Sequence, residues 1–287
     1  MKSIDKLLSV GVVCASLSAY HISPAVAQMK LGVIDRAGAV QGYNLTPNTI
    51  GPGVELTGTP IAGSNDQFAL GETNGIDMVN SAGELWLHTA TDQSVFPGYH
   101  VPGSLYGRND TRYVLSDGGR LIYVINTKGE VWAHYWTRDG VLDGSKLTGP
   151  ALFGRSVLLG RVSDDKYVVW DAGYTVGGRI LVVTSVGEVW AHDLSCSIPP
   201  IPPSLSCTVD TVGAGYKLNG PTLFFAPNDK YVVLANDLLM VINTYGEVWA
   251  RNISHYAVGP GYKLTGPKLF GGNDDRFVVV YEVVPIR

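Results

Sequence analysis

Four tryptophans, Trp86, Trp132, Trp190 and Trp249, occupy one position of a recurring phrase. A polar residue follows each of them two places on: His88, His134, His192 and Arg251. An aromatic ring can stack on the apolar C–H face of a pyranose, and a neighbouring histidine or arginine can hydrogen-bond its hydroxyls. Strand alternation puts each tryptophan and its polar follower on one face. The same tryptophans could instead fill the wedge between neighbouring sheets, and the histidines could make structural hydrogen bonds. Both roles stay open at this point. Three histidines also raise zinc, but the strand carrying them is expected to be outermost in its sheet, which spreads them around a rim. No metal site and no cofactor is expected.

A second group of candidates lies where one repeat departs from the others. The segment Asp171 to Arg179 holds an acceptor, a ring and a fork of donors in Asp171, Tyr174 and Arg179. Loop growth at this point costs little, so tolerated insertion is the competing explanation. The pairs Asn65-Asp66, Asn109-Asp110, Asp164-Asp165, Asn228-Asp229 and Asp274-Asp275 precede aromatic strands. One or two carboxylates are too few to cage calcium, and Asx turns account for them. No Gly-x-Ser-x-Gly, His-Glu-x-x-His or phosphate-binding loop occurs. Catalysis would therefore need acids that converge from different repeats.

These residues sit in a tandem repeat. The phrase reads Gly129-Glu130-Val131-Trp132-Ala133-His134 and Gly187-Glu188-Val189-Trp190-Ala191-His192, with relatives at Gly83 and Gly246 and a degenerate copy from Gly38 to Tyr43. Its anchoring glycines are 45, 46, 58 and 59 residues apart. A second phrase, Lys146-Leu147-Thr148-Gly149-Pro150, returns at Lys217 and Lys263 and more loosely at Leu56 and Pro102. Each unit reads as four short strands rich in β-branched and aromatic residues, bounded by Gly, Asn and Asp. In chain order, A is represented by Ala151–Gly154 or Lys268–Gly271, B by Lys166–Trp170, C by Leu121–Ile125 and D by Glu130–Tyr135. Four strands repeated at about 45 residues is the spacing of propeller blades.

The mature chain begins with strands C and D and ends with A and B, so pairing of the termini would complete one further blade. The expected fold is therefore all-β: a five-bladed β-propeller of four-stranded blades, closed by its N- and C-terminal strands. A β-prism or an open solenoid is the alternative. In blade size and count the repeat resembles tachylectin-type and other propeller lectins; the resemblance is architectural and covers the mature chain, and it implies carbohydrate binding without placing a binding motif.

Residues 1–27 read as a signal peptide: Lys2 and Lys6, an apolar stretch from Leu7 to Tyr20, and Ala25-Val26-Ala27 as the cleavage site. The chain is then secreted or periplasmic, with residues 28–287 forming one propeller domain and no membrane span after cleavage. Cleavage leaves 19 basic against 24 acidic residues without a basic cluster, which excludes a nucleic-acid partner. It also leaves Cys196 and Cys207, expected to pair as a disulfide around a Pro-rich inserted loop. The third continuous blade carries this loop and two further insertions. The leading function is a non-enzymatic, multivalent glycan-binding module. A protein-interaction scaffold using the third continuous blade's loops, and a hydrolase or lyase at the axial opening, are the alternatives.

Overall fold

Runs such as Leu-Ile-Tyr-Val-Ile and Leu-Leu-Met-Val-Ile are apolar on both strand faces, which suits a strand covered from two sides. Both form strands, and the second is buried along its whole length. The computed structural model describes residues 28–283 except 62–66, 71–74, 106–111, 116–120, 153–165, 171–177, 198–207, 224–228, 235–236, 270–276 and the single positions 36, 81, 92 and 127. Among the described residues the chain is all-β, with no helix, and its sheets are mostly antiparallel.

The first sheet joins the two ends of the chain. Its order is β24 (Phe277–Val283), β1 (Gln28–Ile34), β2 (Val40–Leu45), β3 (Ile50–Glu55). β1 and β24 pair antiparallel from Gln28 opposite Val283 to Ile34 opposite Phe277. The second sheet is β5 (Gln67–Leu70), β6 (Gly75–Val79), β7 (Leu85–Thr89), β9 (Tyr99–Val101). The third is β10 (Arg112–Leu115), β11 (Leu121–Ile125), β12 (Val131–Thr137), with β13 (Gly140–Val141) and β14 (Ser145–Lys146) both on β12. The fourth is β15 (Lys166–Trp170), β16 (Arg179–Val183), β17 (Val189–Ser197), with β18 (Thr208–Val212) and β19 (Tyr216–Lys217) both on β17. The fifth is β20 (Lys230–Leu234), β21 (Leu238–Ile242), β22 (Val248–Asn252), β23 (Tyr262–Lys263). A sixth, two-stranded parallel sheet, β4 (Thr57–Gly58) with β8 (Ser94–Val95), links the first sheet to the second.

Two expectations are corrected. The tryptophan strands β7, β12, β17 and β22 are third in their sheets; a further short strand pairs outside each. Ala151, Leu152, Lys268 and Leu269, read as strand A, lie outside any strand, and the rest of those runs falls outside the described residues.

The core is partitioned between sheets. Five apolar clusters each draw on two consecutive sheets. Val79 and Val124 share one, Ile125 and Val182 the next, Val183 and Val241 the next. Met240 and Leu31 share a fourth, between the fifth sheet and the first, and Ile34 and Ile76 the fifth, between the first and second. Successive sheets are also stitched by backbone hydrogen bonds. Thr57 donates to Gln93, Val141 to Pro102, Val212 to Thr148, Val258 to Asn219, and Ile50 of the first sheet to Thr265 of the last, at 2.7–2.8 Å. Close approach at these seams requires glycine. Gly149 and Gly220 have φ of 135° and 141°, and a Cβ on either would strike the carbonyl of Val212 or Val258.

Candidate functional site

The turn preceding a tryptophan strand is built on one side chain, Asn80, Asn126 or Asn243 in three units and Thr184 in the other. Asn126 Oδ1 accepts the amides of Lys128 and Glu130 at 2.9 and 3.0 Å; Asn243 Oδ1 accepts those of Tyr245 and Glu247, both at 3.0 Å. The glycine that anchors the phrase, Gly129 or Gly246, has φ near 75° (73° and 75°), which admits glycine readily and other residues at a cost. The turn holds a glutamate at the head of the strand. Asn126 Nδ2 donates to Glu130 Oε2 at 2.7 Å, and Asn243 Nδ2 to Glu247 Oε2 at 3.0 Å.

In three of the four units a lysine from the outer strand closes on the glutamate. Lys146–Glu130, Lys217–Glu188 and Lys263–Glu247 are 2.6, 2.7 and 2.6 Å apart. The lysine bond, then the asparagine bond, holds the Glu130 and Glu247 carboxyls below the usual carboxylate range. The tryptophan joins from the same face: Trp190 Nε1 donates to Glu188 Oε2 at 3.1 Å, and the Trp249 indole bonds Glu247. Between the third and fourth sheets the Glu130–Lys146 pair borders a cleft of about 240 Å³, with Lys128, Val131, Leu147 and Val212 also on its walls. That is below the ~300–1,000 Å³ of drug-sized sites and suits a single sugar ring. The arrangement offers an ammonium donor and a carboxylate acceptor side by side at a mainly polar cleft.

The expected site residues separate by burial. Trp86, Trp132, Trp190 and Trp249 are half-buried, and the last three pack against inter-sheet clusters, which is the wedge-filling role. His88, His134 and His192 are buried, each on its own sheet. Their Nδ1 atoms lie 3.3, 3.2 and 3.2 Å from the carbonyls of Phe96, Leu142 and Gly213. A carbonyl only accepts, so Nδ1 carries a proton in each ring. Burial, partly opposed by that carbonyl bond, lowers all three below the ordinary histidine value. These rings therefore present no polar edge to a ligand in solution.

Arg179 opens β16 rather than standing out on a loop, and only 1% of it is exposed. Its Nε donates to Asp193 Oδ1, its Nη2 meets the His255 ring, and its Cζ lies 5.9 Å from the centre of the Tyr216 ring. Asp171 and Tyr174 lie outside the described residues. The Cys196 backbone is in β17 opposite Val209; Cys207 lies outside the described residues, and with it the disulfide. The glutamate–lysine pairs were visible in sequence but unlinked. Lysine opens the second phrase in the three units whose first phrase carries Glu130, Glu188 and Glu247.

Neither a protein-family model nor a curated protein matches the chain. Among solved structures it is similar to apo AztD from Citrobacter koseri, at 10% identity and a TM-score of 0.35, covering 85% of this chain and 84% of that one. A second C. koseri AztD structure gives 8% and 0.37, covering 91% and 100%. The fission yeast SREBP–SCAP binding domains give 13% and 0.30, covering 94% and 69%. At these scores the likeness carries no function to this chain.

Proposed function

We propose that the mature chain is a five-bladed β-propeller that acts as an exported, non-enzymatic glycan-binding module, with recognition at clefts between consecutive blades. The five antiparallel sheets are its blades. Support for a closed ring comes from the five shared core clusters and the five inter-sheet bonds, the last of which runs from Thr265 back to Ile50. Residues 1–27 direct export, to the outside or to the periplasm, and Cys196 and Cys207 pair in the oxidising environment that follows.

One observation carries the binding reading: the same glutamate–lysine pair recurs in three sheets, and one of the three borders a cleft of sugar size. Ion pairs at a surface stabilise a fold little, so their recurrence calls for another explanation. A lysine ammonium and a glutamate carboxylate held 2.6–2.7 Å apart match the vicinal hydroxyls of a pyranose, which both accept and donate. Several weak sites on one rigid ring gain avidity on a multivalent glycan. A glycan array, followed by titration of tryptophan fluorescence, tests the reading. Binding that weakens stepwise in Lys146→Ala, Lys217→Ala and Lys263→Ala supports it. No array ligand, with fluorescence unmoved by any sugar, removes it.

A further inference from the structure

The glutamate–lysine pair recurs in three sheets, and the tight turn before each glutamate differs in one exposed residue. The third residue of the tight turn is Lys128 at the first, Val186 at the second and Tyr245 at the third. All three are exposed, Val186 at 66% and Tyr245 at 72%. The turn is closed by bonds to its Asx or Thr residue and by the anchoring glycine, none of which depends on this side chain. Exposed valine and tyrosine gain nothing from folding there, and two of the chain's prominent exposed apolar residues fall at this one repeat position.

We propose that this position selects the sugar at each seam, and that Lys128 makes the cleft between the third and fourth sheets prefer an acidic sugar, one bearing a carboxylate or a sulfate. The proposal rests on the glycan reading above. Within that cleft the Lys146 charge is balanced by Glu130 at 2.6 Å, and Lys128 remains as a further cation on the lining. The rest of the lining, Val131, Leu147 and Val212 with the Gly149–Ala151 backbone, is uncharged. A neutral sugar would engage only the glutamate–lysine pair. An acidic group on the same ring would also face the Lys128 ammonium through a charge-assisted hydrogen bond. At the equivalent turn position Val186 carries no charge, and Tyr245 carries an exposed ring that could stack on a sugar.

Methyl NMR on the full mature chain separates the seams, because Val212, Val258 and Ile50 abut Gly149, Gly220 and Gly266 at one seam each. The probes are two matched pairs: D-galactose with D-galacturonate, and N-acetylglucosamine with its 6-sulfate. At Val212 the acidic member of a pair should bind about fivefold tighter than the neutral one. At Val258 the two should bind alike. Lys128→Ala should abolish the preference at Val212, so that the acidic and neutral members of each pair bind there with equal affinity. Equal affinities at Val212, or a preference that survives Lys128→Ala, would overturn the proposal and leave the glycan reading standing. No shift at any of the three reporters with any probe would overturn both.

Discussion

Gly98 lies flat against the imidazole of His88: a Cβ added to it would stand 2.5 Å from Cε1 and 2.6 Å from Nε2. The relationship recurs, with Gly144 under His134, Gly215 under His192, Gly261 under Arg251 and Gly53 under Tyr43. The glycine lets the outer strand close over a buried ring whose Nε2, at His88 and His134, finds no hydrogen-bond partner. Gly98→Ala should therefore destabilise the fold by about 1–3 kcal/mol through overpacking. His88→Ala alone should also destabilise, by opening a cavity. The double variant should recover part of the loss, since the added methyl enters the vacated space. Urea unfolding of the four proteins measures the coupling, and strictly additive losses would contradict it.

The same three histidines make stability depend on pH. Burial holds each one's folded value below the ordinary one, so the unfolded chain binds protons that the folded chain refuses. The contribution is fully present above the unfolded value of about 6.5 and is lost as pH falls toward the lowered folded values. The melting temperature should decline between pH 7 and pH 5. Replacing His88, His134 and His192 together with glutamine should flatten that decline, even if it lowers the melting temperature at pH 7. An equally steep decline in the triple variant would place the acid sensitivity elsewhere.

Much of this arrangement could be read before any coordinates. The unpaired half-units at the two ends imply a β1–β24 partnership, and it is present over seven residue pairs. The outermost strands were missed because Tyr216–Lys217 and Tyr262–Lys263 are too short to show alternation. Their signal was a pair of glycines five apart in every unit, as in Gly144 and Gly149, one under a ring and one at a seam. The burial of Arg179 was illegible for another reason. Its partner Asp193 lies 14 residues on, and only strand register brings the two opposite.

The pairing of β1 with β24 makes a direct prediction. Removing residues 277–287 uncovers one whole edge of β1, a strand whose described residues from Lys30 to Ile34 are all buried. A long apolar edge without a partner is a template for aggregation. The truncated chain should lose its single cooperative unfolding transition and form higher-order species in analytical ultracentrifugation. A monomer that melts in one transition near the wild-type temperature would show that the terminal pairing is dispensable.

The Arg179–Asp193 pair can be tested against the chain's own repeats. The equivalent register pairs are Leu121 with Tyr135 and Leu238 with Asn252, so an ionic pair is not required by the fold at this place. Asp193→Asn should still be costly, because it leaves a buried guanidinium without its carboxylate. Losing one partner of a fully buried pair costs ~3–5 kcal/mol; the Asp193 side chain is 37% exposed, and screening there brings the expected loss to about 2–3 kcal/mol. Adding Arg179→Leu re-creates the Leu238–Asn252 combination and removes the stranded charge. Chemical denaturation should then show the double variant more stable than Asp193→Asn alone, despite the loss of two further contacts, to Tyr216 and His255. A double variant weaker than the single one would mean that those ring contacts, rather than the carboxylate, hold Arg179 in place.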